Sequence, residues 1–219
     1  MKPLRSLLLI AVLFAPAALA DEALIQAAAR GNVTGIKRLL DAGTPVNGRD
    51  ARGRNAVLAA TQGGHTEAAQ LLISRGADLN AQDEIRDSAF LLAGARGHTD
   101  IVRAALAANP KPDLKLTNRY GGTALIPACH YGHVETVRLL LTTAIDINHV
   151  NNLGWTALLE TVILGDGGAR HTEITKLLIA HGANVNLADR QGVTPLVHAD
   201  QRGQRAIAEM LRAAGARMR

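Results

Sequence analysis

Asn55-Ala56-Val57, Ser88-Ala89-Phe90, Thr123-Ala124-Leu125, Thr156-Ala157-Leu158 and Thr194-Pro195-Leu196 are five renderings of one triplet, with first residues 33, 35, 33 and 38 positions apart. Each begins with a short polar side chain suited to capping a helix N-terminus and continues into apolar residues. In the last, Pro195 falls at the first helical position, where its missing N–H costs nothing. A period in this range marks a chain built from stacked supersecondary units, each unable to bury its apolar face alone.

Two further series keep the same register. Gly64-His65-Thr66-Glu67, Gly97-His98-Thr99-Asp100 and Gly132-His133-Val134-Glu135 place a glycine where a first helix ends in a left-handed turn. An acid follows in the first turn of a second helix, where the helix dipole favours it. That second helix carries apolar residues at helical spacing, for example Ile101, Val102 and Leu106, or Ile174, Leu177 and Leu178. Gly76 and Gly182 stop it, and Leu79-Asn80 or Val185-Asn186 leads into a turn. Ala60, Ala93, Ala128 and Ala199 supply the small side chain that lets paired helices approach; Thr161 is the larger exception.

This pattern resembles the ankyrin-repeat family, whose 33-residue unit opens its first helix with Thr-Pro-Leu-His-x-Ala. The resemblance covers essentially all of residues 21–219 and extends to exported bacterial members of the family. It departs in that only Thr194-Pro195-Leu196 keeps the proline, and the signature histidine is Leu58, Leu91, Ile126, Leu159 or Val197. The expected fold is all-α: an ankyrin-repeat solenoid of about six helix-turn-helix units with β-turn fingers. Residues 21–49 form an N-terminal cap whose first helix runs from Glu22 to Ala29. Repeats follow at about 50–82, 83–117, 118–150 and 151–188, and residues 189–219 form a C-terminal cap with a polar outer face. Asn109-Pro110-Lys111-Pro112-Asp113 and Gly165-Asp166-Gly167-Gly168-Ala169 read as insertions of two and five residues.

The resemblance implies that fingers and first helices form a concave surface for a partner. Carried over position by position, the partner-binding candidates are Arg52, Arg54, Arg119, Tyr120, His130, Tyr131, Asn152, Leu153, Trp155, Asp166 and Arg190. Beyond residue 20 the chain has four aromatics, Phe90, Tyr120, Tyr131 and Trp155. Phe90 fills an apolar place of the triplet and belongs to the core. Tyr and Trp are enriched in interface hot spots, so the other three focus the expected site on the units 118–150 and 151–188. They equally suit a role in buttressing the next finger. The 165–169 insertion reads as a flexible surface loop, with Asp166 placed to bond the neighbouring finger.

Met1-Lys2-Pro3-Leu4-Arg5, the apolar run from Ser6 to Phe14 and Ala18-Leu19-Ala20 have the order of a cleavable secretory signal, with the cut expected between Ala20 and Asp21. The apolar stretch is short for a membrane span and Pro16 interrupts it. The expected location is therefore periplasmic or secreted, with no membrane attachment after removal. The remaining 199 residues, 219 minus 20, carry a formal charge of +3 once Lys2 and Arg5 leave the total of +5. Arginines are scattered among acids without the dense basic stripe of a nucleic-acid binder. The single cysteine, Cys129, has no partner for an internal disulfide and falls beside the small-residue position, where a packing role is expected.

No cofactor and no metal site are expected. His65, His98, His133 and His171 share one repeat position and stand about a unit apart; His130 and His149 could approach on neighbouring fingers but lack a third ligand, whereas structural zinc wants four close donors. No nucleophile–base pair, carboxylate pair or nucleotide loop converges, so no catalysis is expected. The chain reads as a monomeric, non-enzymatic scaffold or adaptor that binds another protein. The alternatives are an immunity or inhibitor protein against a toxin or enzyme of the same compartment, a small-molecule carrier, or a helper of a periplasmic redox (peroxide-defence) enzyme.

Overall fold

A computed structural model of the protein describes residues 17–218. The charged start and the apolar run of the expected signal lie outside these residues. The described chain is all helical, in six antiparallel pairs: α1 (Ala17–Ala29) with α2 (Val33–Asp41), α3 (Ala56–Gln62) with α4 (Thr66–Ser74), α5 (Ala89–Arg96) with α6 (Thr99–Ala107), α7 (Leu125–His130) with α8 (Val134–Leu140), α9 (Ala157–Ile163) with α10 (Ala169–Ala180), and α11 (Pro195–Gln201) with α12 (Arg205–Ala213). Helix α1 starts five residues ahead of Glu22 and runs through the Ala20–Asp21 bond. None of the described helices is long and apolar enough to cross a membrane.

Odd-numbered helices pack on one another in chain order, and so do the even-numbered ones, giving two helical layers with a single core between them. Ala60, Ala93, Ala128 and Ala199 are wholly inaccessible, as small residues at a close helix crossing must be, and so is Thr161. Thr161 turns its hydroxyl back onto the Ala157 carbonyl at 2.8 Å, which satisfies a donor that would otherwise be orphaned.

The capping series holds at four of its five places. Asn55, Ser88, Thr156 and Thr194 each accept the N–H three residues on, of Leu58, Leu91, Leu159 and Val197. Thr123 does not, and its buried Oγ1 has no partner. The cause is Pro127. Elsewhere the cap carbonyl takes the N–H four residues on, as Thr156 does from Glu160 at 2.9 Å. Proline offers no N–H there, so the Thr123 carbonyl takes the Ile126 N–H instead, at 3.3 Å. That removes the donor the hydroxyl would have used.

Each finger is built around an Asx residue. Asp50, Asp83, Asn118, Asn151 and Asp189 accept with one side-chain oxygen the N–H groups two and four residues on. Two fingers are also tied to the one before: Glu84 N–H donates to Arg52 O and Asn152 N–H to Tyr120 O, both at 2.9 Å. A second ladder runs along the other edge. Asn47, Asn80, Asn148 and Asn186 each accept an N–H from the next unit, of Asp78, Asp113, Asn184 and Arg217, at 2.7–2.8 Å. Stability is thus passed from neighbour to neighbour.

The histidine series bridges units as its spacing implies. His65, His133 and His171 reach with Nε2 the carbonyls of Ala29, Ala95 and His130, at 3.0, 3.2 and 2.9 Å. The glycine beside each ring is required for the approach: a Cβ on Gly97, at φ +69°, would lie 2.5 Å from His133 Nδ1. The 165–169 segment is not a loose loop. Gln204 of the last unit donates to Val162 O at 3.0 Å and to Gly165 O at 3.2 Å, and Asp166 sits 2.7 Å from His171 Nδ1, so the insertion is tied at its start and to α10.

Candidate partner-binding groove

Fingers and first helices of the units 83–117, 118–150 and 151–188 enclose an open groove of about 890 Å³. Its walls carry Tyr120, Tyr131, Leu153 and Leu164, each between two-fifths and three-fifths exposed. These four are a concentrated share of the large apolar side chains that reach solvent. An apolar concavity flanked by a few polar groups is the form binding sites take.

Each wall residue is placed by its element. Tyr120 sits at the finger tip because its N–H is held by Asn118 Oδ1 at 2.9 Å. Tyr131 follows the last residue of α7, and its ring stacks on His130 with centroids 4.2 Å apart and 12° between planes. Arg119 lies over the Tyr120 ring, 4.8 Å from its centroid, and 3.8 Å from Asp87. Burial raises the Asp87 carboxyl, and the Arg119 and Arg96 cations oppose that rise. Burial also holds His98, His130 and His133 below the ordinary imidazole value.

The floor holds Glu160 and Asn151. Glu160 is 7 % exposed although it carries an ionisable group. Asn151 Nδ2 donates to its Oε1 at 2.8 Å, and its Oε2 is 3.7 Å from His130 Nδ1. Burial pushes the carboxyl up to about 7, against the hydrogen bond from Asn151. Neither residue was among the expected site residues. The signal was present, however: an acid in Leu158-Leu159-Glu160-Thr161-Val162 interrupts a core run, and charged residues are rarely buried without purpose.

The expected residues divide. Arg119, Tyr120, His130, Tyr131 and Leu153 line the groove. Arg52 instead pairs with Glu84 at 2.8 Å on neighbouring finger tips, and Arg54 braces its own finger through Asp50 at 2.7 Å. Asn152 uses its N–H to join two fingers. Trp155 is partly buried and lies outside the lining. Arg190 lays its aliphatic stem along Gly154, where a Cβ would lie 2.5 Å from its Cγ. Asp166 does not bond a neighbouring finger. It accepts from Gly168 N–H at 2.8 Å and sits 2.7 Å from His171 Nδ1, because the insertion folds back over the start of α10. His149 is held on Gly121 O at 2.7 Å while His130 faces Glu160, so these two histidines serve separate contacts. No cluster of three or more metal-capable side chains occurs among the described residues.

Cys129 is fully buried against α9. Burial raises its thiol well above the ordinary value, and a contact with Thr161 works the other way.

The family described as ankyrin repeats (3 copies) matches at residues 7–83, 84–151 and 145–219. The ankyrin repeat protein YahD of Escherichia coli (strain K12) is 40 % identical over 191 residues, covering 87 % of this chain and 94 % of its own. A crystal structure of an ankyrin repeat domain from Acinetobacter baumannii AYE shares 51 % identity, with a TM-score of 0.85 over 89 % of this chain and 98 % of that one. The ankyrin repeat domain of Bcl-3, a member of the IkappaB protein family, superposes with a TM-score of 0.78 at 28 % identity, covering 89 % and 86 %. Ankyrin repeats are generally non-enzymatic scaffolds for protein interaction. The chain belongs to the ankyrin repeat family.

Proposed function

We propose that this protein is a non-enzymatic scaffold or adaptor that holds a segment of another protein in the groove between its fingers and first helices. The observation that carries this reading is the gathering of exposed Tyr120, Tyr131, Leu153 and Leu164 around one concavity. Each of these half-exposed side chains gives up part of the roughly 1.5–3 kcal/mol that complete burial of a large apolar side chain is worth, and a docked partner recovers it. Tyr131 is preorganised by its stack on His130, which lowers the ordering cost of binding. The first twenty residues support export, so the partner is sought in the periplasm.

The test is site-specific photo-crosslinking in the producing cell. A photoreactive residue at Tyr131 should trap a protein that the same residue at Lys176, on the outer helix layer, does not. Tyr120→Ala with a photoreactive residue at Leu153 should lose that adduct. Adducts equally strong from both faces would overturn the assignment.

A further inference from the structure

Glu160 is the one groove carboxylate left without a cation. Asp87 has two, since Arg119 stands 3.8 Å away and Arg96 also acts on it. At Glu160 the ionisable neighbour facing it is His130, whose ring burial keeps toward the neutral form. Asn151 is neutral and occupies Oε1 only. Oε2 makes no hydrogen bond with the described residues, yet Glu160 forms part of the groove lining.

A brace for the finger does not require this chemistry. Asn151 and Glu160 occupy the same two register places as Asp189 and His198, which meet at 2.7 Å in the next unit, and as Asp50 and Ala59, where Arg54 joins Asp50 to Gln62 of α3 and no buried acid is used. A buried acid facing open space is costly unless something pairs with it. The rim around it is aromatic and aliphatic, which suits the stem of a long side chain whose charge goes to the floor.

Resting on the docking reading above, we infer that Glu160 receives a basic side chain, lysine or arginine, from the bound protein segment, its cation pairing with Oε2 while its methylenes lie between Tyr131 and Leu164. Charge complementarity at the floor selects this occupant over an acidic segment, because no lysine or arginine among the described residues lies within ion-pair distance of Glu160, while Arg119 is beside Asp87 and Arg96 is held on Gln62 O at 2.6 Å.

The purified protein, immobilised at pH 8, is used to select from a phage library of random peptides, and a selected sequence is then synthesised. The expected result is peptides that share a lysine or arginine and lose binding to the Tyr131→Ala variant. Glu160→Gln, which keeps an acceptor for Asn151, should weaken the synthetic peptide about tenfold or more. Replacing the peptide's basic residue by norleucine should do the same, with little further loss when both changes are combined. Groove-binding peptides without a basic residue, or full binding to Glu160→Gln, would overturn the inference and leave the docking groove standing. Binding indifferent to both Tyr120→Ala and Tyr131→Ala, or no selected binder, would remove the groove assignment as well.

Discussion

Asn151 and Glu160, nine residues apart, hydrogen-bond at 2.8 Å from the start of a finger to the middle of helix α9. The bond fixes the acid in a place where burial disfavours its charge. It also makes the groove floor an energetic liability of the free protein.

That liability is measurable against pH. The folded-state pKa of Glu160, about 7, stands above its ordinary 4.5, so the folded chain retains a proton that the unfolded chain releases. This contribution is fully present below about 4.5 and is lost as pH rises through 7, worth about 3 kcal/mol in all. Glu160→Gln should therefore be more stable than the parent at pH 8 by about 1–3 kcal/mol and equal to it near pH 4.5. Urea unfolding at the two pH values checks this; an equal difference at both would mean the carboxylate is well solvated.

Two histidines of the repeat series, the bridging His133 and His98, whose buried Nε2 has no partner among the described residues, act in the opposite direction. His98 and His133 are depressed, burial being the first cause, so their stabilising contribution is present above 6.5 and is lost as pH falls through their folded values. In the Glu160→Gln background, thermal stability should decline on acidification below 6.5. His133→Ala should flatten that decline and cost about 1–2 kcal/mol at pH 8 by removing the bond to Ala95 O.

Thr123 and Thr156 hold the same place in adjacent units but should respond differently. Thr156 caps α9 through Leu159 N–H at 3.2 Å, so Thr156→Val should cost about 1 kcal/mol. Thr123 buries an unpartnered hydroxyl, and Thr123→Val should be neutral or stabilising. Equal losses in chemical denaturation would show that Thr123 does cap α7.

Gly97 and Gly182 both adopt positive φ, +69° and +88°. An alanine at Gly182 meets open space, whereas one at Gly97 meets the His133 ring. Gly182→Ala should cost about 1–2 kcal/mol, the left-handed penalty alone, and Gly97→Ala distinctly more. Melting curves of the two variants decide it.

Cys129 should be inert in the native protein. Burial favours its thiol form, and the thiolate is the reactive species. Ellman's reagent should report no thiol under native conditions and one after denaturation. Rapid native labelling would overturn the packing role assigned to Cys129.

The repeat period, the helix pairs and the capping residues were legible in the chain because they are local. A cap, a stop glycine or an apolar stripe acts within a few residues, so its spacing alone declares it. Even there Pro127 escaped notice, since its effect on Thr123 passes through a diverted N–H and not through residue type. Asn80 and Asn186 were visible as repeat marks, but the bonds that they, Asn47 and Asn148 make to the next unit were not.

The site was legible only as a list of variable positions, and of the eleven expected residues five line the groove. Sequence register by itself determined which residues stand on fingers and first helices, because helix and turn geometry repeat with the chain. Tertiary structure alone decided which of them face the same space. It turned Arg52 and Arg54 to ion pairs, laid Arg190 on Gly154, drew Asp166 to His171 and carried Glu160 to the floor. The physical reason is that burial and charge pairing depend on how the folded backbone places each group, whether the partner is 4 or 5 residues away, as for Arg54 and Asp166, or more than 30, as for Arg52 and Arg190, which meet their partners only when the units stack.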